Sequence, residues 1–404
     1  MNPLSTTEKQ LQTDVAASRN DMIRFCRALL QTPSVNGVHD EIAVAEVIAT
    51  EARVLGVTAE ITGIEPRRAN VVITSGDPDE YGMVLVGHTD TVPPGDETLW
   101  TYPPYSGTIA DGCIYGRGAV DTKGGIAASL YALAALHKHN IPARLVCVPD
   151  EESGATGTLG IKHLHRERLL RGTGAIYAYS GQTIHIGHRG LLRYRLRCHG
   201  QSVHTGSPEW QEGTAGASAV MAMADLLLRM ENTRFAYDSQ PYFDRFKTTI
   251  TPGTIIRGGT AVNIVPDACE ALVDVRTTPD NDAAAVDAVV QEHIAAVAAQ
   301  RGVTFDVEQM NRLPAVMSAP DAPIFEALAD VTQALTGERP GLAVAGPANE
   351  GYLLVELGIP TVCGFGPQGA GFHGIDEYVE VDSLAETAAI FAITAVRLAA
   401  ANGG

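Results

Sequence analysis

Four short clusters carry residue types able to do hydrolytic or metal chemistry. The first is Gly87-His88-Thr89-Asp90-Thr91-Val92-Pro93, directly after the apolar run Met83–Val86. In an extended chain alternate side chains point the same way, so His88 and Asp90 share one side of a strand end. A carboxylate there can accept the N–H of an imidazole whose other nitrogen binds metal; a capped surface turn would use the same residues. The second is Asp121, set between glycines in Gly116-Arg117-Gly118-Ala119-Val120-Asp121-Thr122-Lys123-Gly124-Gly125 just ahead of a helix. Asp is also a good helix N-cap. The third, Asp150-Glu151-Glu152, follows a buried strand; three adjacent carboxylates repel, and a nearby cation is the simplest reason to gather them. The fourth is His373 in the glycine-rich loop Gly371-Phe372-His373-Gly374.

Strand ends and loops must present these groups, and the periodicity supplies them. Asp14 to Gln31 has apolar residues at helical spacing, and a second helix is expected from Glu41 to Leu55. Strands are expected at Thr58–Gly63, Asn70–Ser75 and Met83–Gly87, a short hairpin within Trp100–Asp121, and a helix over Thr122–His137. The strand Arg144–Pro149, the helix Gly157–Leu169 and the strand Gly174–Tyr179 follow. Alternating strand and helix predict an α/β domain with a mostly parallel central sheet, and open α/β sheets hold ligands at the carboxyl ends of their strands.

The pattern changes near Gly190. Leu191–His199 alternates apolar and basic residues, a helix runs over Thr214–Met230, and strands are expected around Thr248–Ile256, Ala261–Val265 and Glu270–Arg276. A helix at Asp282–Gln300 and a strand at Gly302–Val307 complete a unit that follows the pattern strand-helix-strand-strand-helix-strand, with the short Ala261–Val265 as one strand more. That order predicts an inserted smaller α+β (ferredoxin-like) domain at 191–308, within a larger domain of 1–190 and 309–404. After the insertion come the helix Ala322–Leu335, the strand Thr361–Phe365 and an apolar C-terminal helix over Ala388–Ala401, too short to span a bilayer.

A chain of 404 residues is too long for a single core. With 47 acidic against 29 basic side chains, the net charge of −18 argues against nucleic acid or an anionic membrane as partner. The six cysteines are scattered, with no Cys-x-x-Cys pair, which predicts a reducing cytoplasm. Met1 to Arg19 lacks the apolar core of a signal peptide. No Gly-x-Ser-x-Gly elbow suggests a serine nucleophile, and Gly172-Thr173-Gly174 precedes a strand, so it is no dinucleotide fingerprint. His137 and His139, like His163 and His165, read as helix-surface pairs.

At the chemical clusters the chain resembles the co-catalytic zinc amidohydrolases that include aminoacylase, carboxypeptidase G, acetylornithine deacetylase and succinyl-diaminopimelate desuccinylase. The resemblance rests on Gly87–Pro93, Gly116–Gly125 and Asp150-Glu151-Glu152. It extends to Ser202-Val203-His204, Asn263-Ile264-Val265-Pro266, Asp274-Val275-Arg276, and His373 with Glu377. It implies a zinc-peptidase-like catalytic domain with the inserted domain as lid and dimerisation unit, hence a homodimer. It further implies that Asp121 bridges two ions, that His88 binds one, and that Glu152 and His373 bind the other. Asp90 would orient His88, and Glu151 would be the general base. His204 would polarise the scissile carbonyl across a dimer contact, while Asn263 and Arg276 grip the substrate's carboxylate. The implied cofactor is zinc, with cobalt or manganese as alternatives, and the implied reaction is hydrolysis of an amide in an N-acyl amino acid or small peptide.

One position departs from the pattern. The family supplies a second ligand to the His88 ion just before the insertion, and counting back from Ile186–Gly190 places Ala178 there; no Asp or Glu occurs between Glu167 and Glu209. A slip of one residue offers Tyr179, a poor zinc ligand because its ordinary pKa is near 10. The expectation is one firmly held ion on Asp121, Glu152 and His373, with the second site weak or empty; His185 is a remote stand-in. Two other readings stay open: amide formation or acyl transfer by an altered metal site, and a binding protein that has lost turnover. The aromatic run Trp100–Tyr105 and the segment Tyr237–Phe246 read either as acyl-pocket lining or as loop packing.

Overall fold

The run Met83–Val86 does what its composition requires. In a computed structural model that describes residues 3–77, 82–237 and 240–402, the strand Met83–His88 is buried along its whole length. It lies inside a six-stranded sheet ordered Thr58–Glu65, Arg68–Ser75, Ala143–Val148, Met83–His88, Gly174–Tyr177, Thr361–Val362. The last four strands are mutually parallel, whereas the first two run antiparallel at one edge, so the sheet is mixed. All six residues of Ala143–Val148 are buried too, as expected where helices cover both faces. The chain divides into two compact units, one of Met1–Gly187, Met317–Ala345 and Asn349–Gly404, the other of His188–Val316 and Gly346–Ala348.

In the first unit, three expected helices are redrawn by local chemistry. Asp14–Gln31 is two helices, Thr6–Ala17 and Arg19–Leu30, broken at Ser18, whose hydroxyl bonds back to the Asp14 carbonyl at 3.2 Å. The helix expected from Gly157 shrinks to Ile161–Arg166. Its first half is held irregular, because Leu159 N–H donates to the Asp150 carboxylate at 2.9 Å and Gly160 packs against the same side chain. His163 on that helix is buried, not on its surface. The helix expected from Thr122 begins at Gly124, after an irregular turn over Ala119–Lys123 that frees Asp121 from an N-cap role. The C-terminal helix is longer than expected, Val381–Asn402; its composition alone would let it cross a membrane, but 61% of its apolar window is buried within the unit.

The second unit is a four-stranded antiparallel sheet ordered Thr249–Gly258, Ala268–Thr277, Gly190–His199, Thr304–Leu313. Helices Ala219–Glu231 and Ala283–Arg301 contribute Met223, Leu226, Val286 and Val290 to the core over one face. The expected strand Ala261–Val265 does not form. Only a single bridge joins Ile264 to His204, because the facing segment supplies two backbone bonds (Thr205 N to Asn263 O and Val265 N to Val203 O) and no ladder. Residues 238 and 239 of the segment Tyr237–Phe246 lie outside the described residues.

Candidate active site

Four of the sequence-predicted ligands converge in the first unit. His88, fully buried at its strand end, points Nε2 at Asp121 Oδ1 over 2.8 Å. His373 Nε2 lies 3.1 Å from Asp121 Oδ2 and 3.1 Å from Glu152 Oε1. Each oxygen of Asp121 therefore faces a different imidazole. Ligand atoms of His88, Asp121 and Glu152 lie within 4.8 Å of one another. The His88 side is closed to solvent, and the His373 side chain is 54% exposed, so the cluster opens towards His373.

The electrostatics are those of a site that wants a cation. Burial alone would lower the His88 pKa, but Asp121 and Asp90 outweigh it and hold the imidazole well above its ordinary range. Asp121 and Glu152 draw His373 up to about 10. Burial tends to raise Asp121, yet the two imidazoles hold it down at about 2. Glu151 is pushed up to about 8, chiefly by burial; His88 opposes the rise and the carboxylates of Glu152, Asp121 and Asp90 add to it. His88, Asp121 and Glu152 bring three ligand atoms together, with His373 at the open side, and this donor set fits a zinc-type ion.

Asp90 stands beside His88, as expected of a residue that orients it, and also reaches a second segment. His88 Nδ1 is 2.9 Å from the backbone carbonyl of Asp90 and 3.5 Å from its carboxylate. The carboxylate instead accepts Asn36 Nδ2 at 2.9 Å and the backbone N–H of Glu152 at 3.0 Å. Asp90 thus fixes both the ring of His88 and the position of Glu152.

Two more residues join the loops that carry the ligands. Glu377 is buried and accepts four bonds: from Arg117 Nη1 at 2.6 Å, Gly118 N at 2.9 Å, Val120 N at 2.9 Å and Asp121 N at 3.2 Å. Arg117 Nη2 also donates to the carbonyl of Gly374 at 2.8 Å, while its guanidinium lies 5.2 Å from the centre of the Trp100 ring. Trp100 is therefore loop packing. Gly118 has φ +86°, a conformation open to glycine, and a Cβ there would meet Thr91 at 2.8 Å. Sequence reading included Arg117 and Glu377 in the matched motifs but gave neither a role; opposite charges in two ligand loops were the available signal. Asn36 offered none.

At the departing position, Ala178 is fully buried and its N–H donates to Val86 O at 2.8 Å. Tyr179 is half-buried, its ring centre 5.8 Å from that of His88 and 5.0 Å from that of Tyr177. His185 does not lean into the site; its ring faces the Gly364 carbonyl at 3.2 Å.

The remaining expected residues belong to the second unit. His204 Nδ1 accepts Gly206 N–H at 3.0 Å, and its Nε2 is 3.4 Å from Asn263 Nδ2, so these two are neighbours. Arg276 is engaged with Asp274, Nε to Oδ1 at 2.8 Å.

The sequence model of peptidase family M20/M25/M40 matches residues 84–397. A succinyl-diaminopimelate desuccinylase of Methylorubrum extorquens is 33% identical over 322 residues, covering 76% of this chain and 80% of that protein. Among solved structures, the di-peptidase Dug1p of Saccharomyces cerevisiae has a TM-score of 0.78 at 16% identity, covering 98% of this chain and 99% of that one. The YXEP protein of Bacillus subtilis, a dinuclear metal binding peptidase, has a TM-score of 0.63 at 15% identity over 94% of this chain and 98% of that one. At such identities the structures establish the fold, and the sequence match establishes the lineage. This chain belongs to peptidase family M20/M25/M40, whose members are metal-dependent enzymes acting on amide and peptide bonds.

Proposed function

We propose that the chain hydrolyses the amide of an N-acyl amino acid or small peptide bearing a free carboxylate, as a deacylase of the desuccinylase type. The observation that carries this reading is the convergence on Asp121, with a buried carboxylate, Glu151, beside it. Asp121, Glu152 and His373 would hold one cation firmly, zinc first and cobalt or manganese as alternatives; His88 with the other oxygen of Asp121 is a weaker position. A divalent cation supplies Lewis acidity there, drawing the pKa of water towards about 7 and polarising a carbonyl.

The side chains do the rest. Glu151 takes a proton from water as the water oxygen adds to the carbonyl carbon. It returns that proton to the amide nitrogen as the C–N bond breaks, leaving a carboxylic acid and an amine. Asp90 keeps Glu152 and His88 in place throughout. His204 is assigned to the scissile carbonyl; Asn263, its neighbour, and Arg276, whose guanidinium suits a carboxylate, are assigned to the substrate's acid group.

The inserted unit is read as the homodimer contact. Its edge strand Thr249–Gly258 exposes Ile255 and Ile256, and the adjoining helix exposes Met221 and Leu228, an apolar edge of the kind that pairs with another copy. A monomer mass by solution scattering would count against it.

A second reading is favoured by Ala178: with a ligand lost, the same cleft would serve amide formation or acyl transfer, or binding alone. A panel of N-succinyl and N-acetyl amino acids and dipeptides, with zinc, cobalt or manganese added, separates these. Turnover is expected, and it should vanish on chelation and in Glu151→Ala. Activity that survives Glu151→Ala would remove Glu151 from its role. Two tightly held ions per chain would refute the single-ion assignment.

A further inference from the structure

The place where the chain lacks a carboxylate is tightly packed. Ala178 is fully buried, and Gly125 approaches so nearly that a Cβ on it would lie 1.9 Å from the Ala178 carbonyl oxygen and 3.0 Å from the Ala178 Cβ. Tyr179 is half-buried, its ring centre 5.8 Å from that of His88, and it stacks on Tyr177 at 5.0 Å with an interplanar angle of 28°. Tyr177 is itself held from behind, its hydroxyl 3.4 Å from Oε2 of Glu350, which is fully buried. Gly366 packs against the Tyr179 carbonyl, where a Cβ would come within 2.3 Å. Main chain and ring are therefore both fixed.

The Tyr179 ring stands beside His88, whose Nε2 faces Asp121 Oδ1 at 2.8 Å, and the negative charges of Glu151, Asp121 and Glu152 all act on its phenol. With an ordinary pKa near 10, this phenol is an O–H donor at neutral pH. Among the described residues its hydroxyl has no hydrogen-bond partner.

We propose that Tyr179 is a catalytic residue whose hydroxyl donates a hydrogen bond to the carbonyl oxygen of the scissile amide as that oxygen gains negative charge. This rests on the hydrolase reading above and adds a second donor to the carbonyl oxygen which that reading assigns to His204. A donor fixed in advance and aimed at developing charge is the arrangement such stabilisation needs.

The test compares wild type with Tyr179→Phe, which removes one atom and leaves the ring packing in place. The substrate is whichever N-acyl amino acid of the panel wild type turns over fastest, and the second probe is its phosphinic-acid analogue, tetrahedral at the scissile position. In Tyr179→Phe, kcat is expected to fall about 10²-fold with KM little changed. Binding of the phosphinate should weaken, while the metal content of the purified protein stays the same. An unchanged kcat in Tyr179→Phe overturns the assignment, as does a loss of kcat that comes with lost metal and unweakened phosphinate binding. A wild type that turns over no member of the panel overturns the hydrolase reading itself, a result distinct from active wild type and equally active Tyr179→Phe.

Discussion

The carboxylate of Asp90 accepts the backbone N–H of Glu152 at 3.0 Å, joining two ligand segments that lie 62 positions apart in the chain. The same residue's backbone carbonyl faces His88 Nδ1 at 2.9 Å. One residue thereby controls a ligand on each side of Asp121. Asp90→Ala should weaken metal affinity about 10- to 100-fold, the usual effect of removing a partner that orients metal ligands. Competition with a chromophoric chelator measures it, and unchanged affinity would mean Glu152 is placed by something else.

Arg117 and Glu377 form a pair whose side chains are 2% and 1% exposed. Arg117→Met leaves the Glu377 carboxylate buried without its cation and frees the carbonyl of Gly374. A loss of about 3–5 kcal/mol is expected, since breaking a buried pair strands a charge. Urea unfolding gives the number; a change within error would show that the backbone donors on Glu377 suffice without the guanidinium.

Gly125 lies in the helix Gly124–Lys138 against the end of the strand Gly174–Tyr177. In Gly125→Ala the new methyl would stand 1.9 Å from a backbone oxygen, so helix and strand end must part. The cost should be roughly 1–3 kcal/mol or more, as for other overpacked interiors. Turnover should fall with it, because Asp121 and Tyr179 ride on the two parts that separate. Gly341→Ala, with nothing within 4 Å of the added methyl, is the control and should melt like wild type.

Loss of protons should make the metal-free protein less stable as pH rises. Asp121 and Glu152 hold His373 at about 10 against an ordinary 6.5, and burial, reinforced by neighbouring carboxylates, holds Glu151 at about 8 against 4.5. The folded state keeps protons that the unfolded state would release, so this contribution is complete below the ordinary values. It is lost as pH climbs through about 8 and about 10. Asp121, held at about 2 against 3.8 with burial opposing and the two imidazoles prevailing, acts in the opposite sense and loses its contribution in strong acid. With chelator present, the urea midpoint should decline from pH 6.5 to about 10; His373→Ala should reduce the upper part of the decline, to which His88 also contributes. Added zinc should flatten it, since the cation replaces the protons.

The amino-acid order by itself determined which candidate ligand residues stand after the strands, the change of pattern near Gly190 and the absence of a carboxylate at Ala178. These are local properties, set by periodicity and by which residues stand side by side, as in Asp150-Glu151-Glu152. The break at Ser18 and the shortened helix at Ile161–Arg166 escaped it, because a hydroxyl and a distant carboxylate compete there with helical spacing. Tertiary structure alone decided that Asp90 serves Glu152 as well as His88, that Glu377 secures Asp121 from 256 positions away, and that Tyr179 lies beside His88. Such pairings depend on which loops the buried sheet brings to one edge, and no short-range pattern in the chain encodes that distance.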